Sequence, residues 1–466
     1  MTNSYDLVVL GAGPAGESAA ELAAFFGRSV VIVEKNKPGG VVTTTGGAPT
    51  KTLRESMMAW TGFHDREVYG ITVSSSPMLV IEKIAERTRR VAKLLQDVTA
   101  QNIAKNGVEY VQGTAKVASD RRVLVTSPGG EHHVLFAKNI LVATGSRPFH
   151  PDNIPFEDPN VWDSAKFFSP GRRLPKSIFI VGGGPVGVEF ATIFAGLGVQ
   201  TTISDSDKRL LHSMDAEMSK LIAKHLKHIG VDVILGSTTR VVRRVNRRLE
   251  VTLTNGRSLH PDAVLFAAGR SVNTDGLGLE AAGVELDDRG QIKVDRNYKT
   301  TADGIYAAGD VLGPSLASVA MEQGRIAACR IFGIKLKGTV DPTPVSAVYS
   351  MPEVAGVGLT EEQCRSQGLD YLVGRSDLSL IPRGAIAGHG GILKLIFNKK
   401  DRLLLGVHCF GDIAAELVGI GQMVIHFNGT INTFLEVTLN TPTYTYAYKY
   451  AAIDGIRKLG VLKQKH

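Results

Sequence analysis

Two glycine-rich turns, each followed by an acid, are the residues of this sequence with the most evident chemistry. In a turn of the form Gly-x-Gly-x-x-Gly, the first glycine permits a tight bend and the second lets the backbone approach a pyrophosphate. The third lets the following helix pack closely on the strand, and an acid about 20 residues further on accepts hydrogen bonds from ribose hydroxyls. The pattern occurs twice, at Gly11, Gly13 and Gly16 with Glu34, and at Gly182, Gly184 and Gly187 with Asp205. Two such patterns predict two bound dinucleotides.

The elements that must position these turns have the spacing of βαβ units. Each turn follows a short apolar strand, at 6–10 and at 177–181, and precedes a helix, a second strand and the acid. A helical pattern follows the first unit at about 78–106. A strand ending in Ala-Thr-Gly at 143–145 is echoed by Ala-Ala-Gly at 267–269. This repetition predicts two duplicated domains.

We therefore predict an α/β protein with two Rossmann-like dinucleotide-binding domains and a third, C-terminal α+β domain that binds no nucleotide. The first domain is predicted to be discontinuous, at 1–150 and 271–337, because a strand near 305–308 is expected to return to its sheet. The second domain is predicted at 151–270 and the third at 338–466, where no further glycine turn occurs.

The composition indicates an ordinary globular protein of several domains. Of its 466 residues, 43% are hydrophobic and 21% are charged, and a single core does not extend over such a length. The net charge of +8 suits anionic small ligands, and no nucleic-acid partner is expected. The N-terminus does not resemble a signal peptide, and no apolar run reaches the roughly 18 residues of a membrane span. We expect a cytoplasmic protein without a membrane partner or a metal site, since its three cysteines lack metal or disulfide spacing.

Taken together, the motifs resemble those of the pyridine nucleotide–disulfide oxidoreductase family over essentially the whole chain. The motifs are the glycine turn at 11–16, Ala-Thr-Gly at 143–145, the second turn with Glu189 at 182–189, Ala-Gly-Arg at 268–270 and Tyr-Ala-Ala-Gly-Asp at 306–310. The passages most similar to the soluble transhydrogenases of that family are 145–151, 314–318, 323–328, 408–411 and 420–422. The resemblance implies a homodimer that binds FAD at the first turn and NAD(H) or NADP(H) at the second, with 338–466 as its dimerisation domain.

The resemblance also implies roles for single residues. Lys51 would lie at the flavin N5 edge and Glu189 would orient it, so these two form the predicted catalytic pair. Without the resemblance they would be interpreted as two separate surface residues. Glu34 would bind the adenosine ribose of FAD, Asp310 its ribityl chain, and the helix beginning near Ser315 would point its N-terminus at the flavin. The predicted cofactor-binding residues are Gly11, Gly13, Pro14, Ala15, Gly16, Glu34, Lys35, Lys51, Ala115, Ala143, Thr144, Gly145, Gly182, Gly184, Pro185, Val186, Gly187, Glu189, Asp205, Gly269, Asp310, Leu316, Ala317 and Ser318.

The acid of the second turn bears on the choice between the two nicotinamide nucleotides. Asp205 is expected to accept hydrogen bonds from a free 2′-hydroxyl and to repel a 2′-phosphate, which favours NAD(H) over NADP(H). Lys208 and Arg209 lie close by in the sequence and would weaken that preference.

The redox cysteines of the family are absent. Disulfide-using members carry Cys-x-x-x-x-Cys shortly before a Pro-x-Lys, and here Val42 and Gly47 stand at the two cysteine positions before Lys51. The His-Pro-Thr-x-x-Glu that such members contribute from the partner subunit is replaced by Thr441-Pro442-Thr443-Tyr444-Thr445-Tyr446. Because thiol–disulfide exchange requires a thiolate, the sequence excludes a disulfide reductase.

The same substitutions leave two interpretations open for this region. In the family's dimer, Thr43, Thr44 and Thr45 would face Tyr444 and Tyr446 of the other subunit, across the space that the disulfide normally fills. This space is a candidate pocket for a quinone or another planar small acceptor. Alternatively, the tyrosines fill the volume as packing, because aromatic side chains bury large areas in cores and interfaces.

Three functions follow from these observations. The first is transfer of hydride between nicotinamide nucleotides through FAD, in a ping-pong reaction that needs no cysteine. The second is NADH-dependent reduction of a quinone or other small-molecule acceptor. The third, of a different class, is a flavin-binding sensor or structural subunit without turnover.

Overall fold

The computed structural model describes residues 4–62, 70, 77–168, 174–246, 248–336, 338–388 and 390–460. The chain divides into two compact units. The first unit comprises Met1–Thr52, Ile84–Phe149 and Gly269–Asp341. The second unit comprises Leu53–Lys83, His150–Ala268 and Pro342–His466.

Strands and helices are intermixed along the chain, and helices follow the last strand. The strands are β1 (Ser4–Leu10), β2 (Val30–Glu34), β3 (Glu109–Gln112), β4 (Thr114–Val117), β5 (Arg122–Thr126), β6 (His132–Val142), β7 (Ser146–Pro148), β8 (Val161–Asp163), β9 (Ser177–Val181), β10 (Gln200–Asp205), β11 (Asp232–Leu235), β12 (Thr239–Val245), β13 (Arg248–Leu253), β14 (Ser258–Leu259), β15 (Ala263–Phe266), β16 (Arg270–Val272), β17 (Ile305–Ala307), β18 (Ser346–Val348), β19 (Glu353–Gly358), β20 (Tyr371–Asp377), β21 (Ile392–Asn398) and β22 (Leu404–Gly411). The α-helices are α1 (Pro14–Phe25), α2 (Gly40–Thr44), α3 (Ala48–Thr61), α4 (Pro77–Lys105), α5 (Pro185–Gly196), α6 (Ala216–His228), α7 (Ala317–Phe332), α8 (Glu361–Ser366), α9 (Pro382–Ala387), α10 (Ala414–His426), α11 (Thr433–Glu436) and α12 (Ala447–Lys458).

The first unit is built on one sheet with the order β3-β2-β1-β6-β5-β4, and β17 adds to β6. Strands β3, β2, β1, β6 and β17 pair in parallel, whereas β4, β5 and β6 form an antiparallel meander. Alternate residues of β1 face opposite sides of the sheet. Leu7 and Val9 pack with the alanines of α1 and α7, whereas Val8 and Leu10 pack with apolar residues of the meander. The sheet is therefore buried on both faces, as a parallel sheet requires.

The second unit contains a parallel sheet with the order β11-β10-β9-β15-β8 and an antiparallel sheet with the order β18-β19-β22-β21-β20. A core of buried residues beside the antiparallel sheet includes Phe397, Phe434 and Tyr448. The Tyr448 hydroxyl donates a hydrogen bond to the carbonyl of Leu417 and accepts one from the amide of Gly421, so this buried phenol is satisfied.

Both predicted βαβ units are present, as β1-α1-β2 and β9-α5-β10. The predicted fold class of two Rossmann-like domains with a C-terminal α+β domain is confirmed, while the three-domain boundaries stay a prediction. The helix predicted at about 78–106 is α4, at Pro77–Lys105. Among the described helices, none is both long and apolar enough to cross a membrane.

Candidate active site

The first glycine turn brings β1, β6 and α1 to one point. Gly11 has a φ of +106°, and a Cβ atom at this position would lie 2.5 Å from the carbonyl oxygen of Ala143 at the end of β6. A Cβ atom on Gly16 would lie 1.9 Å from the carbonyl oxygen of Gly11. Both positions therefore require glycine. Gly13 is the N-cap of α1, with Pro14 and Ala15 as the first helical residues.

The acid of this turn is held by backbone amides. Glu34, at the end of β2, is 9% exposed, and its Oε2 accepts a hydrogen bond of 2.9 Å from the amide of Ala12 inside the turn. Its Oε1 accepts a hydrogen bond of 2.8 Å from the amide of Asn36. Burial, and then the charge of Glu34, raises the pKa of Tyr110 to about 12, so this phenol is neutral. Lys35 follows Glu34 and is exposed.

A second acid of the first unit lies just beyond β17. The Oδ2 atom of Asp310 accepts a hydrogen bond of 2.6 Å from the hydroxyl of Ser146. Its Oδ1 accepts hydrogen bonds from the amide and hydroxyl of Ser315, at 3.1 and 3.2 Å. Arg270 donates to the Ser146 hydroxyl at 2.7 Å and lies 3.9 Å from Asp310. Leu316 is the N-cap of α7. Exposed residues of its first turn are Ala317 and Ser318.

The segment after β6 is fixed by a short polar network. The hydroxyl of Thr144 donates to the carbonyl of Asn273 at 2.6 Å, and the Asn273 side chain donates back to the carbonyl of Thr144 at 2.9 Å. The amide of Asn273 donates to the carbonyl of Gly145, which has a φ of +72°. Gly269 has a φ of +117° and accepts a hydrogen bond from the amide of Phe149. The remaining predicted residue of this unit, Ala115, is buried on β4.

The second glycine turn repeats these contacts in the second unit. Gly182 has a φ of +108°, and its Cβ atom would lie 2.8 Å from the carbonyl oxygen of Ala267, at the end of β15. A Cβ atom on Gly187 would lie 1.8 Å from the carbonyl oxygen of Gly182. Gly184 is the N-cap of α5, and a Cβ atom there would meet nothing within 4 Å. The first two helical residues are Pro185 and Val186.

The acid of the second turn makes the same backbone contacts as the first. Asp205 accepts a hydrogen bond through Oδ2 from the amide of Gly183, and through Oδ1 from the amide of Asp207 at 2.8 Å. Each acid thus binds the second residue of its own turn and the residue two positions beyond itself. Further along the same loop, His212 Nδ1 lies 3.0 Å from Asp207 Oδ2.

The two residues of the predicted catalytic pair are described in different units, and their pairing stays a prediction. Lys51 lies on α3, half-buried, and its ammonium donates to the Thr50 hydroxyl at 3.3 Å. Glu189 lies on α5, is 5% exposed, and its Oε1 accepts a hydrogen bond of 3.0 Å from the amide of Tyr349. Burial, and then the charges of nearby carboxylates that include Glu189, raises the pKa of Tyr349.

The two positions that carry cysteine in disulfide-using relatives lie against each other. A Cβ atom on Gly47 would be 2.6 Å from the carbonyl oxygen of Val42 and 2.7 Å from its Cα. The three cysteines of the chain are all free and buried. Their positions are Cys329, Cys364 and Cys409.

The residues of the predicted acceptor pocket make contacts of their own. The hydroxyl of Thr43 donates to the carbonyl of Pro38, and that of Thr44 donates to the carbonyl of Gly40, both at 2.8 Å. Thr45 follows α2 as its C-cap. In the second unit, Tyr446 makes an edge contact with Tyr450, and the Arg383 guanidinium lies 5.9 Å from the ring centre of Tyr444. Whether the threonines and tyrosines form one pocket stays a prediction.

Several polar residues that hold these sites were missed by the sequence analysis. All of them except Tyr349 lie in or close to a predicted motif. Gln323, for example, accepts a hydrogen bond of 2.8 Å from the amide of Gly309, which precedes Asp310. The neighbouring Gly324 allows α7 to approach α1, because its Cβ atom would lie 2.1 Å from the carbonyl oxygen of Ala15. The passage at 323–328 contains both residues, but only the fold shows which atoms they contact. The other missed residues are Ser146, Asn273 and Tyr349.

Comparison with known protein families gives two matches. Residues 5–324 match a family model described as pyridine nucleotide-disulphide oxidoreductase, and residues 345–452 match the dimerisation domain of the same family. The chain is 36% identical over 464 residues to a soluble pyridine nucleotide transhydrogenase of Mycobacterium tuberculosis, with 99% of each sequence covered. It is likewise 36% identical over 462 residues to one from Pseudomonas aeruginosa, with 98% of this chain and 99% of the relative covered.

Solved structures give the same result at the level of the fold. LpdA from Mycobacterium tuberculosis superimposes with a TM-score of 0.88 at 26% identity, covering 96% of this chain and 98% of that one. The HOCl-induced flavoprotein disulfide reductase RclA from Escherichia coli superimposes with a TM-score of 0.86 at 27% identity, covering 96% of this chain and 99% of that one.

Proposed function

We propose that this chain, which belongs to the pyridine nucleotide-disulphide oxidoreductase family, transfers hydride between NADH and NADP⁺ in a ping-pong reaction with FAD as its cofactor. The chain is an FAD-dependent oxidoreductase similar to the soluble transhydrogenases. Family membership therefore argues against the interpretation as a silent sensor or structural subunit. The observation that supports hydride transfer best is the second glycine turn, which repeats the first contact by contact.

The residues of the first turn fit FAD. The nearest protein atom to a Cβ built on Gly13 is the Cα of Gly40, at 4.0 Å, so the N-terminus of α1 faces open space that a pyrophosphate can approach. We propose that Glu34 and Asp310 bind the adenosine ribose and the ribityl chain, since both are carboxylates held in place by amides or hydroxyls. A cavity of about 460 Å³ adjoins Glu34 through Asn36 and gives room for the adenosine half. Bound FAD supplies a centre that accepts hydride from one nicotinamide nucleotide and delivers it to another.

The proposed catalytic residues stabilise charge on the flavin, and they do not activate a thiol. We propose that the Lys51 ammonium stabilises the negative charge that hydride transfer brings to the flavin, and that Glu189 orients this ammonium. A carboxylate as buried as Glu189 is stable only with compensating donors, and the amide of Tyr349 is one of them. The pair is expected to accelerate transfer without forming a covalent bond.

The second turn is proposed to prefer NAD(H). Asp205 presents a carboxylate whose position two amides fix, and Asp207 adds a second carboxylate to the same loop. Two negative groups at the end of β10 favour a ribose with a free 2′-hydroxyl over one with a 2′-phosphate. NADP(H) is therefore expected to bind more weakly, as the slower partner of the transhydrogenation.

An NADH-dependent quinone reductase remains the alternative, with the space at Thr43–Thr45 as its acceptor site. The internal hydrogen bonds of Thr43 and Thr44 argue against it, because these hydroxyls already donate to backbone carbonyls of the same segment, those of Pro38 and Gly40. A ligand pocket usually offers converging polar groups, and this segment directs its groups inward.

The match to the dimerisation domain supports the proposal that the enzyme is a homodimer. Sedimentation of the purified holoprotein should give twice the mass of the chain, which is 49.9 kDa. A monomer that still turns over would contradict a shared active site.

The proposed reaction is tested under anaerobic conditions. The holoprotein is reduced with one equivalent of NADH and mixed with thio-NADP⁺, and flavin reoxidation is followed together with thio-NADPH formation. Rapid reoxidation with a matching yield of thio-NADPH is expected. A flavin that stays reduced with thio-NADP⁺ but is reoxidised by a quinone would refute transhydrogenation and establish the alternative.

A further inference from the structure

The loop at 206–215 packs against the second glycine turn. The amide of Leu211 donates a hydrogen bond of 2.9 Å to the carbonyl of Gly183, in the middle of the turn. Leu210 is fully buried there, and a Cβ atom on Gly183 would lie 2.5 Å from its Cδ2. The loop directly follows Asp205, the last residue of β10, so its position also determines where this acid lies. Contacts that fix the position of the loop therefore also fix the position of the second glycine turn.

The loop ends at a buried acid. Asp215 is 0% exposed and caps α6, since its Oδ1 accepts a hydrogen bond of 3.0 Å from the amide of Glu217. Its Oδ2 accepts a hydrogen bond of 3.2 Å from the amide of Glu361, at the start of α8. The contact that compensates its charge comes from Lys394, whose ammonium lies 2.8 Å from Oδ1.

Lys394 is the centre of an ionic cluster inside the second unit. It lies on β21 with 1% of its side chain exposed, and its ammonium also lies 3.1 Å from Glu217 and 2.5 Å from Glu361. Arg375 binds Glu217 with two nitrogens. Burial lowers the pKa of Lys394, but hydrogen bonds to Asp215 and Glu361 outweigh it, so the pKa lies above its ordinary value and the lysine is charged. Without this lysine, Glu217 and Glu361 would keep Arg375, and Glu361 also Arg365 at 3.7 Å, whereas Asp215 would lose its ammonium partner.

A second contact fixes the loop at Arg209, which is closer in sequence to Asp205. Arg209 lies 3.2 Å from Glu362 on α8 and donates a hydrogen bond of 2.6 Å to the carbonyl of His212. Both contacts run from the loop to the part of the chain that matches the dimerisation domain, at 345–452.

We propose that Lys394 and Glu362 are positioning residues for the nicotinamide nucleotide: they fix the loop at 206–215 and thereby hold Asp205 and the second glycine turn in their nucleotide-binding arrangement. The inference rests on the proposed binding of the nucleotide at this turn. Neither residue touches the nucleotide in this proposal. Glu362 has the additional effect of keeping Arg209 away from a 2′-phosphate.

The proposal predicts a change in nucleotide affinity that is separate from FAD binding and from the rate of hydride transfer. Lys394→Met removes the ammonium partner of the buried Asp215, and the dissociation constant for NADH should rise by about tenfold or more, because small displacements of binding groups have large effects. Rates at saturating NADH and the FAD content should stay within about twofold of those of the unchanged protein. Lys394→Arg keeps the charge and should recover part of the affinity. Lys399→Met, at an exposed lysine just beyond β21, is the matched control.

Glu362→Gln keeps the proposal testable if Lys394→Met does not fold, since Glu362 is only part-buried. Its NADH dissociation constant should rise about threefold, and its preference for NADH over NADPH should fall by at least that factor as Arg209 is released. Unchanged NADH affinity in folded Lys394→Met, or in Glu362→Gln when the first variant cannot be purified, would overturn the proposal.

The measurement distinguishes this inference from the proposed function. Dissociation constants come from the NADH concentration at which the rate of anaerobic flavin reduction is half-maximal in stopped-flow measurements, which need no second nucleotide. If the unchanged protein binds NADH but fails to reduce thio-NADP⁺, the proposed transhydrogenation fails while the shift in the variants still supports the loop's role.

Discussion

Gly184→Ala and Gly187→Ala should affect different properties of the protein, nucleotide affinity in the first case and stability in the second, although the two glycines belong to the same turn. Gly184 has φ and ψ of −76° and −174°, which alanine adopts without strain, and a Cβ atom there meets no protein atom within 4 Å. Gly184→Ala should therefore leave the free energy of unfolding within about 1 kcal/mol of the original, since backbone entropy favours alanine and helix capping favours glycine.

The cost of Gly184→Ala should instead appear in nucleotide binding. The added methyl group occupies the space in front of α5 that the pyrophosphate of the nucleotide is proposed to enter. Displacing the pyrophosphate there weakens two or more hydrogen bonds to charged oxygens, each of about 1 kcal/mol. The NADH dissociation constant should increase by about 30-fold or more, since 1.4 kcal/mol corresponds to a factor of ten.

Gly187→Ala should destabilise the protein itself. Its Cβ atom would lie 1.8 Å from the carbonyl oxygen of Gly182, whereas real Cβ contacts are essentially never shorter than 3.0 Å. The difference, 3.0 − 1.8 = 1.2 Å, must be taken up by moving α5 away from β9. Such overpacking costs about 3 kcal/mol or more.

The assay combines thermal unfolding, FAD content and the NADH concentration dependence of the anaerobic flavin reduction rate for both variants, with Gly13→Ala as the matched variant of the first turn. Gly13→Ala should lose FAD, whereas Gly184→Ala should retain FAD and lose NADH affinity. If Gly184→Ala bound NADH with the original dissociation constant, the nucleotide would not approach this turn and the assignment of the second site would be wrong.

Three further predictions follow from buried charges and thiols. Burial, and then the charge of Glu21, raises the pKa of Glu17 to about 7, so the folded protein keeps a proton that the unfolded chain loses near pH 4.5. The free energy of unfolding should consequently fall as the pH rises from about 4.5 to 7, by up to about 2 kcal/mol after solvent screening of the part-buried group. Glu17→Gln should remove this pH dependence, which urea unfolding at pH 5 and pH 8 measures. Arg54→Met should lower the free energy of unfolding by about 3–5 kcal/mol, because Glu353 lies 3.1 Å away and only 8% of its side chain is exposed. N-ethylmaleimide should leave the activity of the native protein unchanged, as all three cysteines are buried.

Controls for these predictions are available in the chain. Glu157→Gln, at an exposed glutamate, should leave the pH dependence of stability unchanged. Adding Glu353→Gln to Arg54→Met should recover part of the lost stability, and no recovery would show that the arginine acts through packing alone. Rapid inactivation of the folded enzyme by the thiol reagent would contradict a thiol-independent mechanism.

The sequence predicted the parts of the site that short-range patterns determine. Glycine spacing and apolar strands are local, and the first strand of each βαβ unit was predicted from them within two residues. The contact between Glu34 and the amide of Ala12 was not predicted, although it lies inside the motif, because the pattern describes the bound ligand rather than the protein's own hydrogen bonds.

The residues that fix the rest of the site are distant in sequence. Ser146 binds Asp310 across 164 positions, and Lys394 binds Asp215 across 179 positions. No periodicity or spacing joins such pairs, since their proximity depends on how two sheets and their connecting helices pack. A buried lysine on a strand is moreover indistinguishable in sequence from an exposed one, because strand alternation predicts a face but not what covers it.

The two turns differ in their second residue, which is Ala12 in the first turn and Gly183 in the second. In the first turn the long side chain of Glu34 reaches the amide of Ala12, and the methyl group of alanine is tolerated beside it. In the second turn the shorter Asp205 binds the amide of Gly183, and a Cβ atom at Gly183 would lie 3.0 Å from the Asp205 carboxylate. The nearest atom to that Cβ atom is Cδ2 of Leu210, at 2.5 Å, so the loop after the acid comes even closer to the turn than the acid does. Glycine at the second residue of this turn is therefore required by the packing of Leu210 and by the position of Asp205 together.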